Sequence, residues 1–344
     1  MTDYAPGTHY LNRHVNQYLT DFFIEWKNSG MIAGIIAPTV SVQKQSDLYK
    51  IWDKTHFNVL NTRRADKAAS KTVAFGWSDT TYSLKLEALN FEVSAMEREN
   101  ADDQLSPEFR GVERLGEMID LARENRVAAL VELAASITSG NRNVVGTTAG
   151  FEYAWDDMDA FAAHGDSGSP LYQIRKAKRQ VYDATRVWPN ALILTYEAAE
   201  QLAHNPAYLD KYKNMDTSLI TDGGLLPIIQ GLWVIEASAG YNTAKDGQTA
   251  SISSMWNKTI ATVAYIDGLP MPTSNKLITG VETPKSSMDR KTFIRTFAKA
   301  GGRVVRQWQL PWKRDVDVYE VEDNLTEVVT STSLAARISG IVAA

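Results

Sequence analysis

The segment LSPEFRGVERLGEMIDLARENRVAALVELAASITSG, residues 105–140, limits what this chain can become more than any other. Ser106 is placed to cap a helix, Pro107 suits its first position, and Glu108 favours the positive end of its dipole. Phe109, Val112, Leu115, Ile119, Ala122, Val127, Leu130, Ala134 and Ile137 recur at helical spacing as a buried stripe. Arg123 falls on the polar side of that stripe, and Gly140 closes the segment. A helix from Pro107 to Ser139 is about 50 Å long, several times an average globular helix. The spacing holds no heptad, which makes a coiled coil the weaker reading. Such a rod needs a sheet to lie on. The strand-rich segment GGRVVRQWQLPWKRDVDVYEVED, residues 301–323, is the natural supplier, with Pro311 marking a bend or edge.

Before the helix the pattern is that of strands. Residues 1–40 read as an arm with one short amphipathic helix candidate, VNQYLTDFFIEWKN. Tyr82, Leu84 and Leu86 alternate with Ser83, Lys85 and Glu87, and Leu89, Phe91 and Val93 continue on the opposite parity. That phase change predicts a bulge or bend near Ala88. The stretch NTRRADKAASK, residues 61–71, is polar and small with no core period. Residues 41–95 therefore read as a long two-stranded ribbon with a solvated tip. A lone ribbon is marginal in water and needs another surface. After the long helix, Ser169 and Pro170 start a second helix whose stripe is Ile174, Ala177, Val181 and Ala184. The strand PNALILT runs into Thr195, the cap of YEAAEQLAH, and Asn205-Pro206 stops that helix. Short strands such as LWVIEA, TIATVAYI and KTFIRTFAK then alternate with turns to about residue 300.

One motif looks like chemistry. HGDSGSPLY, residues 164–172, is close to the nucleophile loop of chymotrypsin-like proteases. A nucleophilic Ser167 would need a placed histidine and aspartate. Neither His9, His14, His56, His164 nor His204 sits in such a context, and a helical stretch follows the serine at once. A turn leading to an N-cap is the stronger reading. Asp156, Asp157 and Asp159 could hold a divalent cation, but they also suit a helix start, and no second acidic cluster faces them. TDGGLLP, residues 221–227, lacks the frame of a phosphate loop. No catalytic, cofactor-binding or metal-ligating residue is assigned, and no cofactor is expected. There is no cysteine, and the net charge of −5 argues against a general nucleic-acid binder. No apolar run approaches membrane-span length, and the first residues carry no secretory signal pattern. Trp52, Trp77, Trp308 and Trp312 lie in ribbon-like segments with little local core, which predicts burial against another chain.

The order of parts is distinctive: arm, long ribbon, very long helix, mixed α/β segment, final long strand. It is carried by IAPTVSVQKQSDLYKIWDK (residues 36–54), LARENRVAALVELAAS (121–136), VWPNALILTYEAAEQLAHNP (187–206), LWVIEASAGYNTA (232–244) and WKRDVDVYEVED (312–323). This order resembles the major capsid proteins of tailed bacteriophages, which have the Hong Kong 97 fold. The resemblance implies an α+β fold with an N-terminal arm (1–40), an extended loop (41–95) and a peripheral domain (96–189) with spine helix 107–139. It further implies an axial domain (190–304) and a strand returning to the peripheral domain (305–344). It implies no enzymatic activity. Pentamers and hexamers would close into an icosahedral shell around double-stranded DNA, bound without sequence specificity. Scaffolding, portal and decoration proteins would be partners, and assembly would take place in the host bacterial cytoplasm, with no membrane. The long scaffolding segment that some family members carry would have to precede the arm or be missing. The alternative within the same fold is an encapsulin-like nanocompartment shell protein. The alternative from another class is a hydrolase using Ser167.

Overall fold

A computed structural model describes residues 14–15, 30–52, 57–99, 107–213, 225–271 and 291–342, except the single positions 65, 68, 75, 246, 250, 311 and 314. Residues 16–28 of the arm's helix candidate, Ser106, Pro311 and the Thr221–Gly224 part of TDGGLLP lie outside these described residues, and Val15, the candidate's first residue, is in a strand.

The long helix spans Pro107–Glu132, 26 residues, or about 39 Å. It stops short of the expected Ser139. Leu133 takes an extended backbone (φ −66°, ψ 119°), and short 3-10 turns at Ala134–Ser136 and Ser139–Asn141 lead into the strand Arg142–Val144. The apolar period runs on past this point, but tertiary bonds take the chain elsewhere. Thr138 N donates to Thr332 O at 2.9 Å, and Glu132 accepts the main-chain N–H of Asn257. Ile137 is buried as expected, though from a turn. Two further expectations are overturned: Ala122 is exposed, and Arg123 is turned inward. The reason is that the helix serves two cores. Its first half packs Val112, Leu115 and Ile119 on Val93, Val305, Tyr319 and Val321. Its second half packs Val127, Ala128 and Val131 among Ile36, Ile193, Ile235 and Phe293. The buried face shifts between them, and Arg123 and Glu124 fall inside.

The first core lies on a six-stranded sheet built around Val316–Val329. Lys85–Ser94 pairs along one side of that strand. Val304–Gln309 and Ile294–Lys299 share the other side, separated by a turn at Gly301 and Gly302. Thr39–Val42 adds in parallel to Ile294–Lys299, and His14–Val15 pairs with Val304–Gln309. The second sheet has the order Arg142–Val144, Ala335–Ser339, Ile260–Ala264, Ala191–Thr195, Leu232–Ala237, Ile228–Ile229. Helices Pro170–Thr185 and Tyr196–His204 cover one of its faces, and the end of the long helix covers the other.

The ribbon is narrower than the expected 41–95. Ser46–Trp52 and Trp77–Ser83 pair antiparallel, whereas Thr39–Val42 and Lys85–Ser94 belong to the first sheet. No bulge occurs at Ala88: the register runs unbroken from Lys85↔Leu325 to Ser94↔Val316. The break is at Leu84, and the phase change in the sequence marks a change of sheet. Strand pairing groups the remaining elements by sheet. Arg142–Val144 and the helix Pro170–Thr185 go with the second sheet, Ile294–Lys299 goes with the first, and Ala335–Ser339 returns to the second.

Candidate assembly surface

The protease-like loop is a structural turn. Gly165–Gly168 forms a 3-10 turn in which Ser167 Oγ donates to His164 O at 2.9 Å. The His164 ring is stacked on Tyr153, centroids 4.5 Å apart. Gly168 is required by packing, because a Cβ there would collide with the main-chain oxygen of Ala160. Ser169 then caps the helix from Pro170 by accepting Leu171 N–H at 3.2 Å. The Gly-Ser-Gly spacing thus serves a tight turn and a cap. Asp157 Oδ1 accepts the N–H groups of Asp159 and Ala160, at the start of the short helix Ala160–His164. Among the described residues no group of three or more His, Asp or Glu converges as a metal site.

The ribbon is anchored on one face only. Tyr82 stacks on Phe297 at 4.7 Å, with Tyr49 tilted against the same ring at 5.4 Å. Gln45 holds both sides of the root: Leu84 N donates to its carbonyl, and its side-chain amide donates to Leu84 O, each at 2.8 Å. The same amide makes a reciprocal pair with Asn324. The opposite face carries exposed apolar side chains among the described residues. Leu48 is 58% exposed and Trp77 is 49% exposed, with Lys50 Nζ 4.3 Å above the Trp77 ring. Phe57, Val59, Leu60 and Val73 continue that exposed apolar surface toward the tip, and Trp312 is 71% exposed elsewhere. Surface of this kind, on a two-stranded element, is stabilised by association.

A polar seam fixes the body that carries the ribbon. On the helix-facing side of Val316–Val329, carboxylates alternate with Tyr319, Val321 and Leu325. Asp317 meets Arg98, which also bonds Glu108 at 2.6 Å. The bonds to Glu108 and then Asp317 hold the Arg98 guanidinium above its ordinary pKa. Arg303 bridges Asp120 and Asp323. Burial is the largest influence on Arg303 and opposes its charge, but the bonds and charges of Asp120 and Asp323 together outweigh it and the pKa rises. Burial pushes Asp323 up, with Arg303 offsetting part of the effect. Glu327 receives Arg126 through two contacts, at 3.0 and 3.3 Å. Arg123 Nη2 donates to Ala37 O, Thr39 Oγ1 and Thr296 Oγ1 at 3.1–3.3 Å. Burial lowers the Arg123 pKa.

Next to it, the fully buried Glu124 joins three parts of the molecule. Its Oε2 accepts Ile32 N–H and Ala33 N–H at 3.1 and 2.7 Å, at the start of the short helix Ala33–Ile36. Its Oε1 accepts the Trp256 indole N–H at 2.9 Å. Neither Arg123 nor Glu124 stood out in the sequence. Their one signal was a charged pair interrupting the apolar stripe midway along a helix.

No family model matches the chain. Over 249 residues it is 27% identical to the major capsid protein of Pseudomonas phage JBD67, covering 70% of this chain and 74% of that protein. Its fold is similar to that of a phage-related protein from Bordetella bronchiseptica RB50, with TM-score 0.66, 18% identity and coverage of 96% and 98% of the two chains. It is also similar to the capsid structure of the cyanophage P-SCSP1u, with TM-score 0.58, 10% identity and coverage of 92% and 89%. The resemblance to phage major capsid proteins extends along most of the chain, and the fold is of the phage-capsid type.

Proposed function

We propose that this chain is the major capsid protein of a tailed bacteriophage, and that its copies assemble as pentamers and hexamers into an icosahedral shell enclosing double-stranded DNA. The observation that carries the reading is the ribbon. It is locked at its root by Phe297 and Gln45, and among the described residues it leaves the apolar side chains Leu48, Val59 and Leu60 exposed. A second copy is the partner that makes such an element stable. In this reading the long helix and the first sheet form the peripheral domain, and the second sheet with its helices forms the axial domain. A net charge of −5 suits a container that must take up and release DNA without holding it. Scaffolding, portal and decoration proteins would be partners in the host cytoplasm.

The test is expression of the full chain, followed by negative-stain microscopy and sedimentation of the lysate. Closed shells with nuclease-protected DNA in phage-infected or prophage-induced cells are the expected result. Shells filled with a defined protein cargo would favour a nanocompartment, and a permanently monomeric protein would end the shell reading.

A further inference from the structure

The second sheet carries a charged row that the fold does not need. Arg142, Arg337, Thr262, Ile193 and Ile235 are cross-strand neighbours, reached in turn from the sheet's edge strand to its centre. Their burial increases inward: Arg142 is exposed, Arg337 is half-buried and Thr262 is buried. Residues directly opposite each other on neighbouring strands project from the same face, so the two guanidinium groups are adjacent like charges. That arrangement destabilises a sheet.

Among the described residues it is offset only through space, by Glu132. Among the described residues, no carboxylate lies within ion-pair distance of Arg337 or Arg142. Arg337 Nε and Thr262 Oγ1 are buried without a hydrogen-bond partner. Glu132, at the end of the long helix, attracts Arg337 through space while its Oε1 accepts the Asn257 N–H. Arg142 Nε donates to Ile137 O at 2.6 Å, which satisfies one donor and removes no charge. Burial, followed by the opposing influences of Glu132 and Arg142, leaves the Arg337 guanidinium below its usual pKa. A half-buried cation without an acceptor is costly, and such costs are retained where they serve binding.

We infer that the Arg142–Arg337 pair, with Thr262 behind it, receives a carboxylate from a second copy of this chain. One guanidinium matches the two oxygens of a carboxylate, and a second beside it adds charge and further donors. The chain is rich in the complementary group. It has 41 Asp and Glu against 36 Lys and Arg, and between Asn143 and Ile174 it has no Lys or Arg while Glu152, Asp157, Asp159 and Asp166 are present. A DNA phosphate is the other anion available, but phosphate binding that matters energetically spreads over several cations. The inference rests on the proposed self-assembly and names one of its contacts.

The experiment compares wild type with Arg337→Met and Arg142→Met, using full-length, nuclease-treated protein. Thermal unfolding of the unassembled subunit and sedimentation of assembled material are measured on the same preparations. A partner-binding role moves the two readouts in opposite directions. Arg337→Met should melt at the wild-type temperature or above, because repulsion and desolvation are relieved. It should need roughly tenfold more protein to assemble, equivalent to about 1.4 kcal/mol, and wild-type assembly should weaken with salt. Lower melting that accounts for the lost assembly would assign the arginines a structural role and overturn the inference. Unchanged DNA-free assembly with impaired DNA retention would assign them to phosphate, with the same consequence. If wild type forms smaller oligomers but no shells, the shell proposal fails, and the site is judged by whether Arg337→Met weakens those oligomers. A strictly monomeric wild type overturns both.

Discussion

Glu124 accepts the indole N–H of Trp256 at 2.9 Å across 132 residues of sequence, while its other oxygen holds Ile32 N–H and Ala33 N–H. One carboxylate thus ties the ribbon's approach segment, the long helix and the second sheet. Glu124→Gln keeps the volume but presents an NH2 group to N–H donors on one side or the other. Leaving a buried donor unmet costs about 1–3 kcal/mol. The variant should unfold at correspondingly lower urea, with Trp256 emission shifted to the red before the main transition. Unfolding that matches wild type would mean that these bonds are replaced by water at no cost.

Arg123→Lys should also destabilise, by about 1–2 kcal/mol. The guanidinium spans Ala37 O, Thr39 Oγ1 and Thr296 Oγ1 beside Glu327, a spread that one ammonium cannot reproduce. Equilibrium denaturation of the subunit decides this. A silent substitution would return Arg123 to the polar side where its sequence position had put it.

Asp323 supplies a pH dependence of known sign. Burial raises its pKa in the folded protein above the ordinary aspartate value. A raised folded pKa means that the folded state holds its proton more tightly. Its contribution to stability is then full below the unfolded pKa and is lost as pH rises through the folded value. Asp323→Asn lacks that loss. Relative to wild type, the variant should therefore gain stability as pH rises from the ordinary aspartate range toward neutrality. Parallel melting curves of the two proteins across that window test it; a gap that is constant with pH would show that Arg303 fully compensates the burial.

Deleting residues 61–71 should leave a folded subunit that no longer forms shells. The described residues there are exposed. Circular dichroism should match wild type while size exclusion shows only small species. Loss of folded signal would place the tip in the subunit core.

Ala122→Pro breaks the long helix at its middle. It removes a main-chain donor and clashes with the preceding turn, costing about 3 kcal/mol or more. Insoluble or unassembled protein is expected, whereas Ala122→Gln at this exposed site should assemble normally. Normal shell yield from Ala122→Pro, measured by sedimentation of matched lysates, would contradict a continuous helix from Pro107 to Glu132.

What could be read from the amino-acid order was what local chemistry determines. Ser169 and Thr195 cap the helices that follow them, as their hydroxyls and the adjacent apolar period indicated. Tyr82 and Leu84 lie on the buried side of the ribbon root, as alternation required. Long-range pairing was not readable. The long helix ends at Glu132 because Thr138 must meet Thr332, and nothing near Glu132 encodes that partner. A parity switch between Leu86 and Leu89 was visible, but a bulge and a change of sheet produce similar patterns, and the change comes earlier, at Leu84, leaving Leu86 exposed. Arg123, Glu124 and the Arg142–Arg337 neighbours need partners tens to hundreds of residues away, so their roles emerge only in three dimensions.

The strands Val316–Val329 and Ala335–Ser339 hold interior places in the first and second sheets respectively. During synthesis, everything that pairs with them leaves the ribosome earlier and waits. A nascent chain halted before residue 316 has neither sheet complete, and its long helix has no Tyr319 or Val321 to rest on. The first sheet can therefore close only once Val316–Val329 has been made, and the second only after Ala335–Ser339 has followed it. A copy that stops before residue 316 has neither sheet to offer a neighbour, so in the proposed shell such short chains would be poor poisons of assembly.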